Sequence, residues 1–221
     1  MVSENAAYSA RAIATEISAG RLSPDEVFAE HQKAIDEHED DICAFTDRNE
    51  KLNAGEGPLR GISIGVKDIF DTRDMPTTYG SPIYEGHQPP ADASLVAMLH
   101  SAGATIAGKT ETTEFAWFNP AKTRNPHNLS HTPGGSSSGS AAGVAAGFFS
   151  AAIGSQTGGS IVRPAAFCGV CALKTSDGLW PLDGHIPPLP GGTPAAFQTL
   201  GMTARDMTDL AQGFARRAMG L

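Results

Sequence analysis

The sequence has few cysteines, no long hydrophobic run and no excess of basic charge, and each shortage argues against a class of protein. Three cysteines are too few, and odd in number, for a disulfide framework, so we expect a reducing, cytoplasmic location. The sequence has no run of about 18 apolar residues and no secretory signal pattern, so we expect neither a membrane segment nor export. The formal net charge of −8 argues against nucleic acids and anionic membranes as partners.

What the sequence does contain is a large apolar fraction and clustered glycine. Hydrophobic residues make up 40% of the chain and charged residues 18%, a balance typical of a packed globular core. The 221 residues suit a single domain, with residues 1–50 predicted as an N-terminal helical segment and residues 55–221 as the core portion. The 25 glycines crowd into a few clusters, which indicates backbone packed at close quarters.

The N-terminal segment contains two helix patterns. Apolar residues at helical spacing predict a first helix over residues 6–19. Ser23 opens a capping box, which predicts a second helix that continues to about residue 37. We place His31 and His38 on the solvated face of this second helix.

The rest of the chain alternates between predicted strands and helices, which indicates an α/β fold: a mixed, mostly parallel sheet flanked by helices. The predicted strands cover residues 59–66, 104–107, 148–153 and 170–173. The predicted helices cover residues 93–102, 141–147, 161–167 (a turn or short helix) and a last stretch from Thr203 to about residue 219. Residues 141–147 are almost wholly alanine, glycine and valine, so we expect this helix to pack closely against other backbone.

Two short motifs match known patterns in the wrong structural context. Residues 103–110 spell G-x-x-x-x-G-K-T, the phosphate-binding P-loop, which needs a strand before the first glycine and a helix after the lysine. Here a helix precedes Gly103 and a strand follows it, so nucleotide binding is the weaker hypothesis. Cys168 and Cys171 form a CxxC without the further ligands that zinc requires, so we predict no metal site and interpret both as small, buried apolar residues.

Two loops rich in serine and glycine carry the strongest chemical signal. Residues 134–140 and 155–160 flank one predicted helix–strand unit, so they can meet at one edge of a sheet. Neither loop contains histidine, the usual base for a serine nucleophile. A buried lysine with a depressed pKa can take that role, and Lys67 is the candidate because it ends an apolar strand. The backbone amides that can form an oxyanion hole belong to Thr157, Gly158, Gly159 and Ser160.

Four segments together resemble the amidase signature family, in order and without large gaps. They are Gly65-Val66-Lys67-Asp68, Gly134-Gly135-Ser136-Ser137, Thr157-Gly158-Gly159-Ser160-Ile161 and Pro164-Ala165-Ala166-Phe167-Cys168-Gly169. The resemblance implies a triad in which Ser160 is the nucleophile, Ser136 bridges after a cis peptide bond, and Lys67 is the general base. It also implies hydrolysis of a carboxylic amide through an acyl-enzyme, with no metal or cofactor.

Two residues near the nucleophile depart from the common family pattern. Arg163 stands three residues after Ser160, where most members place arginine two residues after it, and Gln156 replaces the usual aspartate. Both resemble the malonamidase branch, which acts on small dicarboxylic acid monoamides. We therefore predict that Arg163, Gln156 and Gly135 contact the substrate and that Arg163 clamps a carboxylate such as that of malonamate. The alternative for Arg163 is a structural ion pair with a nearby carboxylate.

The length of the chain raises alternatives to a self-contained hydrolase. Members of the family are usually about twice as long, so we expect this chain to be the N-terminal half. We also expect it to form a homodimer or to pair with a missing C-terminal portion. One alternative function is a glutamine-dependent amidotransferase subunit that supplies ammonia to a partner protein. Another is a truncated relative that keeps the fold without turnover.

Overall fold

The computed structural model of the chain describes residues 9–185 and 199–205. The α-helices in these residues are α1 (Ala10–Ser18), α2 (Pro24–Ile42), α3 (Ser94–Ser101), α4 (Ser138–Ala146) and α5 (Val162–Cys168). The strands are β1 (Phe45–Arg48), β2 (Ser63–Lys67), β3 (Thr105–Thr110), β4 (Ala151–Gln156), β5 (Cys171–Lys174) and β6 (Thr199–Ala204). Two short 3-10 turns cover Pro82–Tyr84 and Glu114–Ala116.

The strands form one sheet in the order β1-β3-β2-β4-β6-β5. At its centre β2 runs parallel to both β3 and β4, while the pairs β1–β3, β4–β6 and β5–β6 are antiparallel. The three central strands are buried almost throughout, as expected for parallel strands covered on both faces. The mixed sheet with flanking helices confirms the predicted α/β fold class.

The parallel strands determine where a site can form. Because β2, β3 and β4 run in the same direction, their last residues Lys67, Thr110 and Gln156 lie at one edge of the sheet. In open α/β sheets ligands bind at this carboxyl edge, where the loops after the strands converge. The loop that opens α4 reaches the same edge, since its backbone bonds to the loop after β4.

Helix α4 packs closely against its surroundings because its residues are small. A Cβ atom on Gly139 would lie 2.1 Å from the carbonyl oxygen of Ala44, and one on Gly143 would lie 2.3 Å from the ring of Phe149. Real Cβ atoms do not approach other atoms so closely, so both positions require glycine. The close packing predicted for this helix is confirmed.

The N-terminal region differs from the prediction in three respects. The capping box of Ser23 is present, but α2 continues past residue 37 to Ile42. The four residues of β1 lie inside the segment predicted as helical. His31 is buried, not solvated: its Nδ1 atom lies 2.9 Å from the Ser63 hydroxyl, so the polar ring is accommodated by a hydrogen bond at the start of β2.

Among the described helices, none combines the length and the apolar character that crossing a bilayer requires.

Other predicted boundaries also shift. The strands predicted over residues 59–66 and 148–153 both begin and end later in the structure, because tight turns precede them. Thr203 does not cap a helix, since it pairs with Ala152 inside strand β6, and residues 206–221 of that predicted helix lie outside the described residues. Cys168 is buried as predicted, whereas Cys171 at the start of β5 is only partly buried.

Candidate active site

Lys67 ends the central strand β2 and is completely buried. Its Nζ atom donates a hydrogen bond to Ser136 Oγ at 2.6 Å and to Ser155 Oγ at 3.3 Å. Burial disfavours the charged ammonium and lowers the pKa of Lys67 to about 7, because the two hydroxyls replace only part of its hydration. The lysine therefore has a substantial neutral fraction near neutral pH.

The loop before α4 presents Ser136 to this amine. The peptide bond between Gly135 and Ser136 is cis, as the family resemblance implies. The carbonyl oxygen of Ser136 accepts a hydrogen bond from the backbone nitrogen of Thr113 at 3.3 Å, which ties this loop to the segment after β3. Ser138 Oγ donates to the carbonyl oxygen of Gly134 at 2.8 Å, which closes the turn. Ser136 is thus held by its backbone on one side and by Lys67 on the other.

Ser160 lies in the second loop, after β4, and the two loops are joined by their backbones. The nitrogen of Ser137 donates to the carbonyl oxygen of Ser160 at 3.0 Å. Ser160 is half-buried, and its hydroxyl forms no hydrogen bond within residues 9–185 and 199–205. The structure thus brings Lys67 and Ser136 into contact and places Ser160 on the adjacent loop, with an unengaged hydroxyl.

The backbone amides predicted to form the oxyanion hole are unused donors. Within the described part of the chain, the nitrogens of residues 157–160 donate no hydrogen bond. Gly159 has a φ of +122°, a conformation that a residue with a side chain rarely adopts, so glycine allows this loop its shape. Free amides on a tightly turned loop are the donors that a developing oxyanion needs.

Gln156 and Arg163, which were predicted to contact the substrate, both form hydrogen bonds to nearby backbone. Gln156 Oε1 accepts hydrogen bonds from the nitrogens of Ile161 and Val162, each at 2.9 Å, so this side chain shapes the start of α5. The exposed Arg163 donates through Nη2 to the carbonyl oxygen of Gly158 at 3.2 Å. The alternative prediction of an ion pair for Arg163 is not met by any carboxylate in the part of the chain that the structure describes.

The remaining predicted residue, Gly135, precedes Ser136 and is half-buried. A Cβ atom there would lie 2.8 Å from the Thr113 side chain, so the loop approaches its neighbour closely. Its contact with a substrate stays a prediction, as do the contacts of Gln156 and Arg163.

The P-loop pattern and the CxxC motif form no part of this site. Residues 105–110 of the P-loop pattern form strand β3, and Lys109 is buried in an ion pair with Asp68, so no phosphate-binding loop exists there. Cys168 Sγ lies 3.9 Å from the carbonyl oxygen of Pro133, and burial raises the pKa of its thiol to about 12. Within the described residues, no three metal-ligating side chains are grouped as an ion would require.

Three residues near the site were not predicted. Ser155 contacts Lys67, and Thr113 holds Ser136; the only signal in the sequence was that Ser155 opens the second hydroxyl-rich loop. His185 packs its ring on Phe70 with a centroid distance of 5.2 Å. Burial and the charge of Lys67 lower the pKa of His185 to about 3, so this imidazole is neutral.

Comparison with known proteins identifies the family to which the chain is similar. The profile of the family described as Amidase matches residues 32–217. One subunit of the glutamyl-tRNA(Gln) amidotransferase of Rhodopirellula baltica is 41% identical to this chain, in an alignment that covers 77% of this chain. The corresponding protein of Halothermothrix orenii is 40% identical, and the alignment covers 86% of this chain. These alignments cover 38% and 41% of those proteins, so the chain spans less than half of their length.

Solved structures show the same relation. The corresponding glutamyl-tRNA(Gln) amidotransferase protein of Thermotoga maritima superposes with a TM-score of 0.81 at 30% identity, covering 96% of this chain and 47% of that one. The peptide amidase of Stenotrophomonas maltophilia gives 0.81 at 33% identity, covering 92% and 46%. Because the family profile matches most of its length, the chain belongs to the amidase (amidase signature) family.

Proposed function

We propose that this chain carries the acyl-transfer centre of an amidase, with Ser160 as nucleophile, Ser136 as proton relay and Lys67 as general base. The observation that carries the proposal is the 2.6 Å contact between the Nζ atom of the buried Lys67 and Ser136 Oγ. A lysine acts as a base only when it is neutral, and its pKa of about 7 supplies that form at neutral pH.

The reaction follows from this relay. The Lys67 amine takes the proton of Ser136 while Ser136 takes that of Ser160, and Ser160 Oγ attacks the carbonyl carbon of the amide. The backbone amides of residues 157–160 stabilise the negative oxygen of the tetrahedral intermediate. The C–N bond then breaks, and the proton held by Lys67 returns through Ser136 to the leaving nitrogen. Water, deprotonated by the same relay, attacks the carbonyl carbon of the acyl-enzyme. The ester bond to Ser160 Oγ then breaks, the relay returns the proton to Ser160, and the acid is released.

The relatives favour a glutamine-dependent amidotransferase role over the malonamate hypothesis. The Rhodopirellula and Halothermothrix relatives are amidotransferase subunits, whereas neither they nor the two solved structures are named for malonamate. We therefore infer that the amide is that of glutamine and that the released ammonia passes to a partner protein. Both glutamine and malonamate carry a carboxylate, so a carboxylate clamp by Arg163 remains part of the proposal.

Substrate comparison tests this assignment. We expect kcat/KM to be higher for glutamine than for malonamate, and higher for either than for propionamide, which has no carboxylate. Arg163→Ala should reduce kcat/KM for the two acids more than for propionamide. An equal loss of kcat/KM for all three substrates would refute the carboxylate clamp and leave Arg163 with only its structural bond to Gly158. Ser160→Ala should abolish turnover of all three; turnover near the wild-type level in this variant would refute the proposed nucleophile.

Exposed aromatic side chains support pairing with another polypeptide. Trp117 and Phe118 are 67% and 72% exposed, and their rings contact each other with a centroid distance of 4.8 Å. Large exposed apolar groups that lie together mark interaction surfaces. We infer that this pair is covered by a second copy of the chain. Ultracentrifugation should show concentration-dependent association that Trp117→Ser weakens, and a stable monomer at all concentrations would contradict the inference.

A further inference from the structure

Lys109 is a buried cation whose hydrogen-bond partners belong to the loop that leaves strand β2. Its Nζ atom lies 3.0 Å from Asp68 Oδ1. It also donates to the carbonyl oxygens of Phe70 and Pro76, at 2.9 and 3.2 Å, and to Thr77 Oγ1 at 2.6 Å. An ammonium group has three protons, so these four oxygens use its whole donor capacity. Lys109 therefore fills an oxygen-lined position in the way that a bound cation would.

Asp68 connects the beginning of this loop to its end. Its carboxylate accepts hydrogen bonds from the backbone nitrogen of Thr78 at 3.1 Å and from the Thr78 hydroxyl. Its own backbone nitrogen donates to the carbonyl oxygen of Thr110 at 2.9 Å, which continues the pairing of β2 with β3. The loop over residues 68–78 is thus closed by Asp68 and anchored from inside by Lys109.

The ion pair and Lys67 lie on opposite faces of the sheet. In the register of β2 and β3, Val66 is opposite Lys109 and Lys67 is opposite Thr110. Since successive side chains of a strand point to opposite faces, Lys109 and Lys67 point away from each other. Among the contacts of the described residues, neither Asp68 nor Lys109 has a side-chain bond to the serines of the proposed triad. Any role in the reaction must therefore be indirect.

We propose that the buried pair of Asp68 and Lys109 positions Lys67 by anchoring the loop that follows it. This inference rests on the proposed function, in which Lys67 is the base. The lysine side chain is flexible, so the direction from which its amine reaches Ser136 depends on a rigid end of β2. A displacement of about 1 Å in a reacting group can reduce the rate about 100-fold. The loop supplies that rigidity only while both charges are present.

The charges of the pair also have a second effect, on the protonation of Lys67. Removing only the Lys109 charge leaves the carboxylate of Asp68, the residue next to Lys67, without its partner, which favours the protonated form of Lys67. Removing only the Asp68 charge has the opposite effect. Among residues 9–185 and 199–205, the other ionisable side chains that interact with this pair or with Lys67 are Asp47, Asp71, Tyr79, Glu111 and His185. None of them is altered in the test below.

The test measures how fast a serine-reactive phosphonate labels Ser160 as a function of pH. We expect Lys109→Met and Asp68→Asn each to label about 100-fold more slowly at the plateau of the profile. The midpoint of the profile should move to higher pH in Lys109→Met and to lower pH in Asp68→Asn. The double variant leaves no uncompensated buried charge, so it should fold. It should label slowly, with the wild-type midpoint.

Controls separate this inference from the proposed function. Lys122→Met removes an exposed lysine that pairs with Glu111, and its labelling rate should stay within about twofold of the wild type. If Lys109→Met does not fold, Lys109→Ala with added ethylammonium replaces it, and the added cation should restore labelling. A wild-type rate in the double variant, or no restoration by ethylammonium, overturns the positioning role. A wild-type rate in Lys67→Ala would instead overturn the proposed function, and this inference with it.

Discussion

Replacing Lys67 by methionine should stabilise the fold while it removes the proposed base. Lys67 is 0% exposed, and its amine contacts the hydroxyls of Ser136 and Ser155. In the part of the chain that the structure describes, no carboxylate forms an ion pair with it. A buried ammonium without a counter-charge destabilises the native state, and methionine has a similar shape without the charge.

The size of this effect follows from the pKa of the lysine. Burial lowers it from 10.5 to about 7, and each unit corresponds to about 1.4 kcal/mol, so the penalty at pH 7 is at most about 5 kcal/mol. Methionine leaves two hydroxyls without their partner, which costs about 1–3 kcal/mol. We expect Lys67→Met to raise the free energy of unfolding by about 2–4 kcal/mol at pH 7.

The stabilisation must depend on pH with a definite sign. Between pH 7 and pH 10.5 the unfolded wild type keeps the Lys67 proton that the native state has lost, so the wild type becomes more stable as pH rises. The advantage of the variant is therefore constant below pH 7 and disappears towards pH 10.5. Urea unfolding of the wild type and Lys67→Met across this range measures it, with Lys122→Met as control. An advantage that does not shrink with pH would refute the desolvation argument.

The remaining predictions concern a buried histidine and a tightly packed glycine. Burial lowers the pKa of His31 from 6.5 to about 4, so the unfolded chain binds a proton at a higher pH than the buried ring does. The free energy of unfolding should therefore fall by up to about 3 kcal/mol as pH falls from 6.5 towards 4. Urea midpoints at pH 7 and pH 4.5 should show that His31→Gln loses much of this acid sensitivity; equal sensitivity would contradict the burial argument. Gly139→Ala should lower stability by about 2 kcal/mol or more in thermal melts, because its Cβ would overlap the Ala44 carbonyl oxygen. Gly158→Ala, with open space around its Cβ position, should change stability by less than about 0.5 kcal/mol, and equal losses would contradict the packing argument.

The centre of the sheet was predictable because its strands contain patterns that are local in sequence. The strands predicted over residues 59–66 and 104–107 overlap β2 (Ser63–Lys67) and β3 (Thr105–Thr110), which are buried throughout. Strand β1 was missed because it has four residues, only the first of them buried, and follows α2 without a glycine; Cys43 takes the left-handed conformation that ends the helix. Strand β6 was missed because it is held by pairing with β4 and β5, which are distant in sequence.

The candidate site was also predictable only in part. Lys67 could be proposed because it ends an apolar strand, and the two loops because they are rich in serine and glycine, patterns that are local in sequence. The choice of Ser136 and Ser160 within those loops came from the resemblance to the amidase signature family. The contacts of Ser155 with Lys67 and of Thr113 with Ser136 depend on how strands and loops meet in space. The burial of His31 has the same origin, because Ser63 comes to it from another element.

The central claim is that a neutral, buried Lys67 activates Ser160 through Ser136. It is tested most directly by the pH dependence of phosphonate labelling, followed by mass mapping of the modified residue. The account predicts that the label is on Ser160, that the labelling rate rises with pH with a midpoint near the Lys67 pKa of about 7, and that the rise is lost in Lys67→Ala. A label on another residue, or an unchanged rise in Lys67→Ala, would contradict it.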